Sequence, residues 1–471
     1  MNRNRLLLLG IIISFLAGCT LAPKYERPEN PIPADWSSTS AYREPMAANG
    51  TPAPIVPELR WREFFTDERL QKIIEIALNN NRDLRLAALN VERARALYGI
   101  QRAELLPTVN AVGIGSKERV PADLSSTGSA VIAEKYGVNL GITSWEIDFF
   151  GRIRSLKDRA LEEYLATDQA RSSAQISLMS AVAQAYLALA ADREALTLAQ
   201  STMETQQAAY DLTQKSYDVG IANELDLRRV QTQVDAARGE LARYIQQVAK
   251  DKNALNLLLG SPAPNTLLPV DLSSVMLPRN ISPRMNSEVL LLRPDILQAE
   301  HQLKGAYANI GAARAAFFPR ISLTSGIGTA SADLSGLFKD GSSTWSFVPQ
   351  ITIPIFDART WSAYRVTKVD RKIAVAQYEK AIQTAFREVA DTLAERDTVD
   401  QRIAAQQSLT DAVAKTYHLA NERYTKGIDN YLGVLYAQRS LYAAQQGLVS
   451  LRLARLANQV RLYAVLGGGN E

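Results

Sequence analysis

The side chains that most often do chemistry are scarce in this 471-residue chain: one cysteine, Cys19, and two histidines, His301 and His418, far apart in helical sequence. There is no P-loop, no HExxH and no cysteine pair, so catalysis and metal binding both lack residues, and neither an enzyme nor a cofactor is expected. A single thiol cannot form an intramolecular disulfide. What remains for Cys19 is the role of an attachment point. Arg3 and Arg5 precede an apolar run from Leu6 to Leu16, too short to span a bilayer as a helix, and Leu16-Ala17-Gly18-Cys19 follows. Charge adds nothing specific: 53 basic against 49 acidic residues give +4, and without Arg3 and Arg5 the balance is 51 against 49, or +2. No nucleic-acid partner is indicated. With 46% apolar and 22% charged residues the chain can bury a core, which excludes global disorder.

"LAGC" resembles the lipobox of bacterial lipoproteins, where cleavage before the cysteine is followed by lipid attachment to its thiol and new amine. The resemblance implies a signal peptide over residues 1–18 and a covalent lipid on Cys19. Residue 20 is Thr, not the Asp that usually retains such lipoproteins at the inner membrane, so delivery to the bacterial outer membrane is expected, with a lipid anchor and a large periplasmic extension. Residues 19–62 read as an acylated tether, because eight prolines between residues 22 and 57 remove backbone donors and favour extended structure. No later stretch has eighteen consecutive apolar residues, so a mature chain that crosses a membrane must do so within a β-barrel.

The remainder is a tandem duplication. Offset by 212, Asp83 matches Asp295, Ala94 matches Ala306, Arg102 matches Arg314 and Pro107 matches Pro319. Offset by 207, Tyr210 matches Tyr417, Tyr217 matches Tyr424, Gly220 matches Gly427, Leu225 matches Leu432 and Gly260 matches Gly467. The period is too long for a solenoid. The expected organisation is a first repeat over 63–260, an equatorial linker over 261–286, a second repeat over 287–467 and a tail over 468–471.

Each copy switches from helix to strand and back. Alanine-rich amphipathic sequence, Thr66 to Leu105 and Ser287 to Phe318, ends just before Pro107 or Pro319. A strand pair follows, over 107–147 and 319–356. In the first, "PTVNAVGIGS" and "KYGVNLGITSWEI" flank a polar loop, with Tyr136, Val138, Leu140 and Ile142 on one face and Gly137, Asn139, Gly141 and Thr143 on the other. In the second, Trp345, Phe347, Ile351, Ile353 and Ile355 share a face. Two-faced strands of this kind suit lipid outside and water inside. Trp145, Phe149, Phe150, Phe356 and Trp361, near the strand ends, read as an interfacial aromatic girdle.

The helices that follow are unusually long. Arg152 to Tyr217 holds no proline and no glycine, and its 66 residues would extend ~100 Å at ~1.5 Å per residue. Val182, Leu189, Leu196, Met203, Tyr210 and Tyr217 recur every seven residues, as coiled-coil core positions do. Each return helix is about half as long, and the helix preceding each strand pair supplies the missing half. One chain therefore carries four helical columns and four strands, too few to close a barrel, for which about eight strands are the minimum. Three chains give twelve of each, so a homotrimer is expected: a 12-stranded outer-membrane β-barrel on a long periplasmic α-helical barrel, mainly α.

The lipobox, the duplicated plan, "YDVGIANELDL" and "YTKGIDNYLGV" at the bends, and "RAAFFPRISL" before a strand together resemble the outer membrane factors of tripartite efflux pumps, nearest the OprM branch, with TolC more distant. The resemblance implies an exit channel for drugs and small solutes, fed by a periplasmic adaptor (membrane fusion) protein and an inner-membrane pump of the proton-driven RND type. It implies that the bends are periplasmic tips: Val219, Gly220, Ile221, Lys426, Gly427 and Ile428 would dock the adaptor. It also implies a gate of Arg423 and Tyr424 bonded to Asp192 and Asp218, with Asn430, an apolar ring at Leu432, and Tyr436 where the branch carries an aspartate. Export of proteins by a type I system is the rival cargo. A non-conducting coiled-coil scaffold is the rival class, and it would have no use for alternating strands around long polar loops.

Overall fold

A computed structural model describes residues 20–33, 36, 59–276, 278–279, 281 and 287–468. The segment expected as a signal peptide, Cys19 and most of the expected tether lie outside the described residues. Twelve helices and strands are described: α1 (Trp61–Phe64), α2 (Glu68–Asn80), α3 (Arg82–Ala103), β1 (Val109–Val120), β2 (Val131–Ile147), α4 (Arg152–Asp218), α5 (Glu224–Leu259), α6 (Pro294–Ala315), β3 (Arg320–Ser331), β4 (Ser343–Thr352), α7 (Ala358–Thr425) and α8 (Tyr431–Val465). The chain divides into two compact units, Met1–Glu29 with Asn90–Thr167 and Gln298–Tyr378, and Asn30–Leu89 with Asp168–Leu297 and Glu379–Glu471.

The first unit holds the sheet. Its strands run antiparallel in sequence order β1-β2-β3-β4, so that the two hairpins pair with each other through β2 and β3 and leave β1 and β4 as edges. The first hairpin is longer than the sequence pattern suggests. β1 continues through Lys117 to Val120 and β2 begins at Val131, because Lys117 lies opposite Glu134 and their side chains form an ion pair. Opposite charges across a ladder stabilise pairing where alternating hydrophobicity has faded. In the second hairpin the ladder ends at Thr352, short of Ile353 and Ile355, where Pro354 has no N–H to donate.

The second unit is helical. Its aromatic core packs Phe64 on Tyr463 with ring centroids 4.2 Å apart and Phe65 edge-on, while Tyr463 Oη donates to the Leu59 carbonyl. Ile73, Ile74 and Ala77 of α2 are fully buried, as are Leu255 and Leu259 at the end of α5. Heptad positions Val182, Leu189, Leu227, Val234, Val434 and Leu462 are buried as the seven-residue spacing predicts, whereas Tyr217 at the end of α4 is exposed. α4 contains a window apolar enough to cross a membrane, but 56% of that window is buried inside the protein. Its apolar face is occupied by neighbouring helices.

The helix expected over Thr66–Leu105 is broken. Asn81, with extended φ and ψ of −61° and 131°, separates α2 from α3. At the matching position of the second repeat, Arg293 separates a 3₁₀ segment (Ser287–Leu292) from α6. Both breaks make the same contact. Asn81 Nδ2 donates to the Leu258 carbonyl at 2.8 Å, and Arg293 donates from Nη1 to the Val465 carbonyl, 207 residues further on. A glycine in the left-handed region follows each acceptor by two residues, Gly260 (φ 66°) and Gly467 (φ 98°).

Candidate functional site

The sheet has two chemically distinct faces. Residues directly opposite across an antiparallel ladder share a face. One row of partners runs Ala111, Leu140, Ile327, Trp345 and the next Val109, Ile142, Ser325, Phe347; beyond a bulge between Ile142 and Trp145 come Trp145, Leu323, Pro349. The rows on the other face read Asn110, Gly141, Gly326, Ser346 and Val112, Asn139, Gly328, Thr344. The first face is predominantly apolar and open, Trp345 being 79% exposed; the second is small and polar. A Cβ at Gly141 would lie 2.3 Å from the Ser325 carbonyl oxygen, so the backbones approach too closely there for any side chain.

The aromatic residues near the strand ends divide. Phe150 stacks on Phe318 at 4.8 Å and Trp361 meets Phe317 edge-on at 4.8 Å. Phe356 is almost fully exposed, Phe149 is partly exposed, and the Trp145 indole nitrogen is buried with no hydrogen-bond partner. In the same unit the strap after Cys19 is held in place. Thr20 meets Ser155 at 3.2 Å, Arg314 donates to the Leu21 carbonyl, and Tyr25 and Arg27 donate to Glu300, whose side chain is 3% exposed. Burial opposes ionisation of Glu300, yet Arg27 and Lys304 hold its carboxyl below the usual range.

Both bends of the second unit use one backbone motif. Gly220 (φ 78°) and Gly427 (φ 71°) end α4 and α7. Gly220 N donates to the Tyr217 carbonyl and Ile221 N to that of Ser216; Gly427 N donates to Tyr424 and Ile428 N to Arg423. These paired bonds satisfy carbonyls the helix end leaves free, and positive φ makes glycine the residue of choice. Val219, Ile221 (83% exposed) and Ile428 (59%) project from the bends, beside the exposed Lys426.

Side chains distinguish the two. At the second bend Arg423 Nε pairs with Asp429 at 2.5 Å and Nη2 donates to the other carboxylate oxygen at 3.1 Å. Each charge favours the other, holding Asp429 below and Arg423 above its ordinary range. Tyr424 lies 4.9 Å from Tyr431, whose hydroxyl is pushed up to about 12 by burial and then by Tyr417 and Tyr424. Leu432 is half-buried, Tyr436 exposed, and Asn430 precedes α8 without a side-chain cap.

The acceptors expected for Arg423 are not brought to it within the chain. Asp218 accepts instead from Gln214 at 2.8 Å. Asp192 lies 26 residues before Asp218 on one continuous helix, ~39 Å along the axis at ~1.5 Å per residue. Sequence reasoning missed Asp429, Arg293 and Glu300. For Asp429 the signal was present: it lies six residues after Arg423, and that spacing closes across the bend.

A family model described as outer membrane efflux protein matches residues 73–261 and 286–468, in two separate segments. The chain belongs to this family. The probable efflux pump outer membrane protein TtgC of Pseudomonas putida is 46% identical over 466 residues, covering 98% of this chain and 95% of the relative. Outer membrane protein OprJ of Pseudomonas aeruginosa is 41% identical over 461 residues, with 98% and 95% covered. Among solved structures, a membrane protein from Pseudomonas aeruginosa superposes with a TM-score of 0.88 at 40% identity, covering 96% of this chain and 98% of that one. The open state of the Neisseria gonorrhoeae MtrE outer membrane channel superposes with a TM-score of 0.83 at 37% identity, covering 96% and 98%. The four-stranded sheet and long helical hairpins are the fold of these channels. The protein is the outer-membrane channel component of an efflux system.

Proposed function

We propose that three copies of this chain close a 12-stranded barrel through which small solutes leave the cell. The observation that carries the reading is the sheet itself: four strands with two open edges, one apolar face and one polar face. Unpaired edge groups cannot persist in hydrocarbon, and about eight strands are needed for closure, so β1 of one copy must pair with β4 of the next. The apolar face would meet lipid and the polar face would line the lumen.

The bends form the periplasmic end in this reading. Exposed Val219, Ile221 and Ile428 offer apolar anchors to a periplasmic adaptor protein, and the Arg423–Asp429 pair with Tyr424, Tyr431 and Leu432 forms the gate. Energy comes from an inner-membrane pump, for which we propose a proton-driven RND protein. Small apolar molecules are favoured as cargo over proteins because relatives include toluene, solvent and antibiotic efflux components. Lipid on Cys19 would complete the anchor, with Thr20 to Arg27 holding the start of the mature chain beside α4 and α6.

Native mass spectrometry of the protein purified from membranes tests assembly and acylation together. The expected mass is three chains beginning at residue 19, each carrying acyl groups, and the same sample should conduct in planar bilayers. A conducting monomer would overturn the strand count, and an unacylated Cys19 would overturn the anchor.

A further inference from the structure

Equivalent helices of the two repeats end up in opposite surroundings. α3 and α6 match residue for residue at the offset of 212, are 22 residues each, and run into β1 and β3 respectively. α6 buries Leu303, Ala308, Ile310, Ala312 and Ala315, whereas no side chain of α3 is buried in the single chain. Leu97 and Ile100 of α3 stand 48% and 65% exposed. The first turns of α7 are bare in the same way, with Val366, Val369 and Ile373, spaced three and four apart on one stripe, each about half exposed. Two apolar helix faces that nothing in their own chain covers call for a partner.

The seam that the chain closes within itself specifies that partner. α4, the equivalent of α7 at the offset of 207, packs against α6. Arg159 Nη1 donates to Asn309 at 3.4 Å. A Cβ on Gly305 would lie 3.6 Å from that of Glu162, and one on Gly311 would lie 2.6 Å from Ser155 Oγ and 2.8 Å from Ala22 of the strap. Moved by the two offsets, these contacts pair Val366 with Leu97, Val369 with Arg93 and Ser362 with Gly99. The last pair keeps the residue types of Ser155 and Gly311. A glycine inside a helix weakens it. Gly311 gives room for close neighbours, but nothing in the chain lies within 4 Å of a Cβ at Gly99, and Ser362 is exposed. The serine that would approach Gly99 therefore belongs to another copy.

We propose that α3 of one copy packs against the first turns of α7 of the next, as α6 packs against α4 within the chain. The inference rests on the trimer of the proposed channel and names the helices through which it closes. Continuity supports it, because α3 runs into β1 and α7 follows β4, the two sheet edges that pair between copies. The two seams differ in chemistry. Arg159 and Asn309 make the inner one polar at the place where Val366 and Leu97 make the outer one apolar. Copies that no covalent link brings together are held by apolar burial.

Disulfide trapping in membranes reads the seam directly. The 3.6 Å separation at the Glu162–Gly305 pair lies within the Cβ–Cβ range that a disulfide bridges. Arg93→Cys combined with Val369→Cys should therefore oxidise between copies under copper-phenanthroline, turning most of the chain into covalent dimers and trimers on non-reducing gels. Neither single variant should do so, which controls for Cys19. Glu162→Cys with Gly305→Cys should oxidise within one copy and leave monomer. Native mass spectrometry of the same samples separates two failures. A wild type without trimers overturns the assembly and the seam with it, whereas a trimer in which the Arg93/Val369 cysteine pair gives no interchain product overturns the seam alone. Should the double variant not assemble, Leu97→Glu places a charge against Val366 and should lower the trimer fraction about tenfold or more, while Leu124→Glu, at an exposed leucine between β1 and β2, should not. An unchanged trimer fraction in Leu97→Glu overturns the proposal equally.

Discussion

The two repeats share a backbone and differ in what holds it. Their bends superimpose bond for bond in sequence terms: each places a left-handed glycine after a tyrosine and donates to carbonyls three and five positions earlier than glycine and isoleucine respectively. In the first repeat the bend is closed by backbone geometry and an Asn223 cap that accepts from Asp226 N at 2.9 Å. In the second it carries in addition the Arg423–Asp429 pair, where the first has Ser216 and Ala222. The joints at the other end differ in the same sense, a neutral Asn81 against a charged Arg293 that also binds Asp295 and Glu388. Duplication preserved the hydrogen bonds that helix ends demand of any sequence, and divergence placed titratable and ionic contacts on top of them.

The comparison breaks most readily at the joint glycines. Ala at Gly260 would put Cβ 2.4 Å from the Asn80 carbonyl oxygen, a backbone atom, while Ala at Gly467 would come no nearer than 3.3 Å to the Arg293 side chain and 3.7 Å to its Cα. Both substitutions carry the left-handed penalty of about 1–2 kcal/mol. Only Gly260→Ala should add several kcal/mol of clash, or fail to assemble, as read by trimer yield and thermal melting.

Arg293→Met should come next. It strips a buried cation from Asp295 and Glu388, which are themselves partly exposed, so about 2–3 kcal/mol is expected, below the 3–5 of a fully buried pair. Asn81→Ala removes two hydrogen bonds, one to the Leu258 carbonyl and one from Leu84 N, and should cost about 1–2 kcal/mol. Equal losses at the two sites would mean that the charges at Arg293 contribute nothing beyond the shared backbone contact.

The smallest effect on stability, and the most informative for function, belongs to the bends. Arg423→Ala should leave trimer yield unchanged but raise single-channel conductance, whereas Ser216→Ala, its first-repeat counterpart, should change neither. Because the Arg423–Asp429 pair is exposed, high salt should move wild type towards the variant. Unchanged conductance in Arg423→Ala would place the gate at Leu432 instead.

Much of this was legible in the sequence because it depends on local rules. Seven-residue spacing marked Val182, Leu189 and Val434 for burial, glycine at 220 and 427 marked the bends, and proline at 107 and 319 marked the passage from helix to strand. Alternation in β2 and β4 gave each strand its two faces. The sheet order, the bulge at Ile142 to Trp145 and the extension of the first hairpin by Lys117 and Glu134 were not legible, because register is set by pairing with other strands. Nor were the partners of single charges. Arg423 could reach a carboxylate six residues away or one on another helix, and only the structure pairs it with Asp429; the unbroken α4 that the sequence already indicated keeps Asp192 ~39 Å along the axis from the bend. Periodicity is a property of one segment and survives in one dimension; which carboxylate an arginine pairs with, or which arginine caps which helix, depends on where separate helices are brought together, and only the tertiary structure decides it.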